Sequence, residues 1–140
     1  MRKIFKDKRG ISQMITSLVG LFVITIMLVI SLTFIRVSNM QSVLNEFANQ
    51  MVITTCDYGI TSGDDIDDRY EQLANSLQIE PTMSYSASYL TGAKVQYGEL
   101  ITVTAKSSET INILGYELPM EFEITKTGRS DYYWKIGVIC

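Results

Sequence analysis

Residues 14–35 read MITSLVGLFVITIMLVISLTFI, and the fold turns on what these 22 residues form. They belong to a run, residues 10–35, that holds no charged side chain. About 20 apolar residues span the hydrocarbon of a bilayer as a helix. A secretory signal peptide also has a basic start and an apolar centre. Its centre, however, is roughly 7–15 residues and closes on small residues. Here the run is longer and ends in Thr33-Phe34-Ile35-Arg36, so a retained transmembrane helix is the expectation. Thr16 and Gly20, four apart within it, have the small-xxx-small spacing that lets membrane helices approach closely.

Charge is divided around this run. Residues 1–36 carry Arg2, Lys3, Lys6, Lys8, Arg9 and Arg36 against Asp7 alone, a net of +5, while residues 37–140 net −8, giving the formal −3. Cations concentrate on the cytoplasmic side of a membrane segment. The N-terminus is therefore expected in the cytoplasm and the remainder outside. An acidic exterior part speaks against nucleic acid, whose phosphates call for Lys and Arg. The chain has no His, which removes His-based metal sites and the usual Ser–His and Cys–His pairs. An enzyme is not expected. Glu121 and Glu123 do share a strand face, but on the side that faces water, where neither is tuned for acid–base work.

Beyond the bilayer the helix is expected to continue. Val37, Met40, Leu44, Phe47, Met51 and Tyr58 keep a spacing of three and four, with Thr54 or Thr55 in the gap, and no Pro or Gly interrupts residues 21–58. Gly59 is the expected stop. At 1.5 Å per residue, residues 11–58 would extend about 70 Å. Ser62 followed by Gly63, Asp64 and Asp65 reads as the start of a short helix with Ile66, Tyr70, Leu73 and Leu77 on one face. Asp64, Asp65, Asp67 and Asp68 lack the spacing of a calcium loop. Acids suit a helix N-terminus by electrostatics alone, and no metal or other cofactor is expected.

After Pro81 the period changes to two. Met83, Tyr85, Ala87 and Tyr89 alternate with serines. Ile101, Val103 and Ala105 alternate with Thr and Lys; Met120, Phe122 and Ile124 with Glu and Thr; and Tyr132, Trp134, Ile136 and Val138 form a fourth set. Residues 111–116 read as a connection or an extra strand piece. The expected fold is α+β: a long N-terminal transmembrane helix continuing into an exterior domain with a short helix and a small antiparallel sheet of about four strands. Its parts are a basic leader (1–10), the membrane helix (11–36), its exterior continuation (37–58), a loop and short helix (59–80) and the sheet (81–140).

Cys56 and Cys140 are both expected outside, where disulfides persist. A bond between them would close a loop of more than 80 residues, for about 4–5 kcal/mol of chain entropy. It requires alpha carbons within roughly 7 Å. Two free thiols, or a link between molecules through Cys140, are the alternatives. Tyr85, Tyr89, Tyr97, Tyr116, Tyr132, Tyr133 and Trp134 offer either core filling or a ligand face.

Lys8-Arg9-Gly10 directly before an uncharged helix resembles the leader of type IV pilin-like proteins. The resemblance implies cleavage by a prepilin peptidase between Gly10 and Ile11, with Lys8 and Arg9 as its basic leader. Gly98-Glu99-Leu100-Ile101-Thr102-Val103 is similar to a segment of TadE-like pseudopilins. Gly128-Arg129-Ser130-Asp131-Tyr132-Tyr133-Trp134-Lys135 resembles the closing segment of an uncharacterised TadE-like family in Gram-positive Tad-type or conjugation-type pilus operons. In order, these motifs cover nearly the whole chain. One position departs from the pattern. Pilins and TadE proteins carry Glu five residues into the mature helix, where Ile15 stands here. An unpaired carboxylate in lipid costs several kcal/mol, and isoleucine avoids that cost.

The resemblance implies a non-catalytic pseudopilin, most simply a minor one, in the cell membrane with its C-terminal domain extracellular or on a surface pilus. Its partners would be the lipid bilayer, other pilin-like subunits, an assembly platform and the prepilin peptidase. The alternative is a single-pass anchored extracellular binding module that is neither processed nor assembled.

Overall fold

The computed structural model describes residues 8–113 and 115–135, and the side chains from residue 10 onward. It is an α+β protein whose elements fall into two units, one ending at Ser38 and the other beginning at Asn39. The long helix α1, Lys8–Tyr58, provides all the described residues of the first unit and then enters the second. Residues 15–35 are rich in Ile, Val and Thr, which lose side-chain freedom in a helix and favour it little in water. In lipid the balance differs, because a helix is the local structure that satisfies every backbone N–H and C=O internally. By length and composition this helix suffices to cross a membrane, and none of its most apolar stretch is buried in the protein.

The second unit, the head, begins with the last twenty residues of α1. Leu44, Phe47, Ala48, Met51, Val52, Thr55 and Cys56 are buried, a stripe that follows the true helical period. Tyr58, expected on this stripe, is instead 46% exposed. Steps of seven from Leu44 reach Met51 and then Tyr58, but a 3.6-residue helix drifts about 20° per heptad. Thr55 and Cys56 therefore take the inward places. Gly59 ends the helix at φ +61°, a left-handed conformation that glycine adopts without strain.

The short helix α2 spans Asp64–Leu77. Its cap is not Ser62 but Gly63, at φ 145°, with no side-chain capping bond. The Gly63 carbonyl accepts from the N–H groups of Ile66 and Asp67, both at 3.0 Å. Asp64, Asp65 and Asp67 in the first turn complement the helix dipole in place of a cap. Ile66 and Leu73 are buried, and the Tyr70 ring meets Phe47 edge-on at 5.4 Å. The Tyr70 hydroxyl donates to the Pro81 carbonyl at 2.9 Å.

Among the described residues five strands follow: β1 Thr82–Ala87, β2 Tyr89–Thr91, β3 Lys94–Val95, β4 Leu100–Ile113 and β5 Tyr116–Arg129. They make a three-stranded antiparallel sheet of order β1-β4-β5 and a two-stranded ribbon of β2 and β3. Residues 111–113 and 116, expected as a connection or an extra strand piece, belong to the β4–β5 hairpin, in which Ile113 pairs with Tyr116. The Gly115 N–H donates to Asn112 Oδ1 at 3.1 Å and fixes the turn. Ile101, Val103 and Ala105 are fully buried and Phe122 nearly so. Together with Phe47, Met51, Val52 and Ile66 they form the floor and roof of the core. Each of the larger of these side chains removed from water contributes about 1.5–3 kcal/mol.

The fourth strand expected from Tyr132 onward is absent from residues 131–135, which are irregular. The remainder of that expected strand, including Ile136 and Val138, lies outside the described residues. The reason lies in bonding. Ser130 donates its backbone N–H to Glu99 O (2.9 Å) and its hydroxyl to Val95 O (3.2 Å), while Asp131 N–H donates to Cys56 O (2.9 Å). The chain leaves β5 to serve these loop and helix-end acceptors and takes up no ladder.

Candidate functional site

Two regions carry the features singled out in the sequence. The first is the apolar helix. From Met14 to Ile35 large apolar side chains stand exposed on every face of α1. Four of its hydroxyls are turned inward on the backbone. Thr16 donates to Ser12 O, Thr25 to Leu21 O, Ser31 to Met27 O and Thr33 to Val29 O, all at 2.8–2.9 Å. Each of these four hydroxyls therefore has its partner within the helix and needs none from water. Thr16 and Gly20 share one face, and the space where Gly20 would bear a side chain is open. The Gly10–Ile11 bond lies in the first turns of α1 with both residues exposed. Lys8 and Arg9 precede it, and their side chains lie outside the described residues. Ile15 is exposed, in the same helical surroundings as its apolar neighbours.

The second region is the end of the head where α1 stops. Gly59 sits under the C-terminal segment. A Cβ built on it would come within 2.6 Å of Tyr132 Cβ and 3.1 Å of Trp134 Nε1. Trp134 donates its indole N–H to Gly59 O at 3.1 Å and its backbone N–H to Gln96 Oε1 at 2.9 Å. The Lys94 ammonium lies 4.2 Å from the Trp134 ring centre, a cation–π contact. This clasp joins the helix end, β3 and the segment after β5. Nothing in the residue spacing foretold it; the mixed polar and aromatic run from Ser130 to Trp134 was its trace.

Cys56 is buried beside Gly128, whose Cβ position lies 2.5 Å from its sulfur. Burial raises the thiol's pKa above its ordinary value, and the nearby Asp131 and Asp57 add to the rise. Such a thiol stays protonated and is a poor nucleophile. Cys56 is unpaired among the described residues; Cys140 lies outside them.

Other candidates disperse. Asp65 and Asp68 line an open hollow of about 440 Å³ with Asp57, Arg69, Gln50 and Gln72. Arg69 donates there to Gln50 Oε1 at 3.3 Å. Among the described residues no group of three or more His, Cys, Asp or Glu is placed to hold a metal ion. Glu123 pairs with Lys106 at 3.2 Å on the open surface. The aromatics are split. Tyr85 packs into the core, where burial, then Asp67 and Tyr70, push its phenol up to about 12. Tyr97 and Tyr116 stand at opposite ends of the β4–β5 hairpin, so these residues form no single ligand face.

No curated protein and no solved structure matches this chain. One family model does, over residues 21–135, from the middle of the apolar helix through the Trp134 clasp. The chain belongs to the family described as Domain of unknown function (DUF4320).

Proposed function

We propose that this protein is a membrane-anchored, non-catalytic, pilin-like subunit. Its apolar helix serves as anchor and packing surface, and its head is displayed outside the cell. One observation supports this above the rest: a helix uncharged from residue 10 to 35, apolar on every face, that runs without interruption into the head. A helix that only filled a soluble core would be buried in it. One that only anchored would have no need to continue as the spine of the folded head. The basic residues before Gly10 add support, because losing residues 1–10 would strip a net +4 from the membrane segment. The helix could then leave the bilayer for a bundle of like helices.

The intact mass of the protein, expressed with and without a prepilin peptidase, tests the proposal. Loss of residues 1–10 only with the peptidase, and recovery of the protein with sheared surface filaments, are the expected results. Ile15, where pilins carry Glu, favours a second reading, an anchored binding module. On that reading the leader stays attached in both cultures and the protein remains with the membrane after shearing.

A further inference from the structure

The two edges of β4 are used unequally. Every residue from Leu100 to Ile113 has a partner on β5, whereas β1 pairs with residues Ile101 to Lys106 alone. Among the described residues no strand lies beside Ser107 to Ile113 on that side, a free edge of about 20 Å. The cause is local. In the β1–β4 register, Pro81 would fall opposite Ser107. Proline has no N–H to give a ladder, and the Pro81 carbonyl takes the Tyr70 hydroxyl at 2.9 Å. The chain ahead of β1 therefore leaves β4. A hollow of about 590 Å³ opens there, with Ile79, Glu80, Ser107, Ser108, Glu109 and Met40 of α1 in its lining.

Along the same stretch the inward face of β4 changes chemistry. Ile101, Val103 and Ala105 point inward and are fully buried, and Ile111 is buried further on. Between them this face carries Ser107, paired with the buried Phe122, and Glu109, paired with Met120. A strand face given over entirely to its own core would be apolar at both places. Glu80 and Glu109 line the hollow, and no Lys or Arg does. Lys106, the one cation of β4, is held at 3.2 Å by Glu123 on the other face of the sheet.

We propose that this free edge of β4 is a docking site for an extended, basic segment of a partner protein. The segment adds as a strand beside Ser107 to Ile113. One of its Lys or Arg side chains enters the hollow, its charge meeting Glu80 and Glu109 and its methylenes lying on Met40 and Ile79. Main-chain hydrogen bonds then supply affinity and the hollow supplies selectivity, as in strand addition generally. A second copy of this edge does not suit it. Residues 107–113 carry Glu109 and no cation, so two such edges would gather like charges, which destabilises strand pairing. The site lies within the head and is independent of how the apolar helix is used.

The test uses the full chain in neutral detergent micelles. The probe is a fluorescein-labelled peptide, Thr-Val-Lys-Val-Thr, with blocked ends, followed by fluorescence anisotropy. It is compared with a version bearing norleucine for lysine, and with two versions N-methylated at alternate nitrogens, one for each edge of the peptide. Binding is expected to weaken about tenfold with norleucine and with Glu109→Gln. Glu99→Gln, at the other end of the hairpin, should leave it unchanged. Methylation of one peptide edge should abolish binding, and methylation of the other should not. Absence of binding at about 1 mM peptide overturns the proposal. Equal losses from Glu99→Gln and Glu109→Gln reduce the effect to general attraction by an acidic head and overturn it too. So does indifference to methylation of either edge, which would mean capture of a cation without strand pairing. Self-association of the chain that Glu109→Gln abolishes assigns the edge to a second copy and equally overturns it.

Discussion

At Gly128 the sheet lies close against the helix. A methyl group there would fall 2.5 Å from Cys56 Sγ and 2.9 Å from Val52 Cγ1. Overpacking of this kind costs about 1–3 kcal/mol. Gly128→Ala is expected to lower the head's unfolding free energy by that amount in a denaturant titration. Because the clash is with Cys56, adding Cys56→Ala should restore part of the loss, so the two changes will not add. Tyr85 makes a second residue-scale prediction. Its phenol titrates near 12, above the ordinary value of 10, because the folded state favours the neutral form. The stability this provides is complete below pH 10 and is lost as pH rises through about 12. Thermal unfolding followed between pH 9 and 12 should show a fall that Tyr85→Phe makes shallower. The alternation of Tyr85 with serines revealed its inward direction. Gly128 was not legible, since nothing in a sequence tells that a helix sulfur lies over a strand glycine.

Among the elements, the helix–sheet seam carries the head. Phe47 is completely buried and packs on Tyr70, whereas Ile53, six residues on, is nearly half exposed. Phe47→Ala is expected to cost about 3–5 kcal/mol. Ile53→Ala should stay within about 0.5 kcal/mol, although both remove an apolar side chain from the same helix. Comparable losses at the two positions in parallel denaturant titrations would contradict the burial described. The helices and the first three strand sets were legible because hydrophobic period reports which face is covered. The exceptions have physical causes. Ser62 yielded its cap to Gly63 because the chain turns there through a φ that serine rarely adopts. The alternation of Tyr132 and Trp134 imitated a strand, yet Trp134 is held by hydrogen bonds to Gly59 and Gln96. Tyr58 lost its inward place to helical drift, which a strict heptad reading overlooks.

For the molecule as a whole, the division of charge and the unbroken apolar run were plain in the sequence. They bear on where the protein resides more than on what it binds. On the proposed reading the Gly10–Ile11 position and the Thr16/Gly20 face would serve an assembly step, with partners that one chain does not contain. What is particular to this molecule is a single helix that is bare and apolar over its first part and the core of a folded head over its last. On the proposed reading the two parts lie in different media. Digestion of intact cells with a protease that does not cross membranes, followed by mass spectrometry of what remains in the membrane fraction, tests this most directly. The account predicts that peptides from residues 59–135 are released while residues 11–36 stay with the membrane. A full-length chain that survives such digestion, or one found in the soluble fraction without detergent, would contradict it.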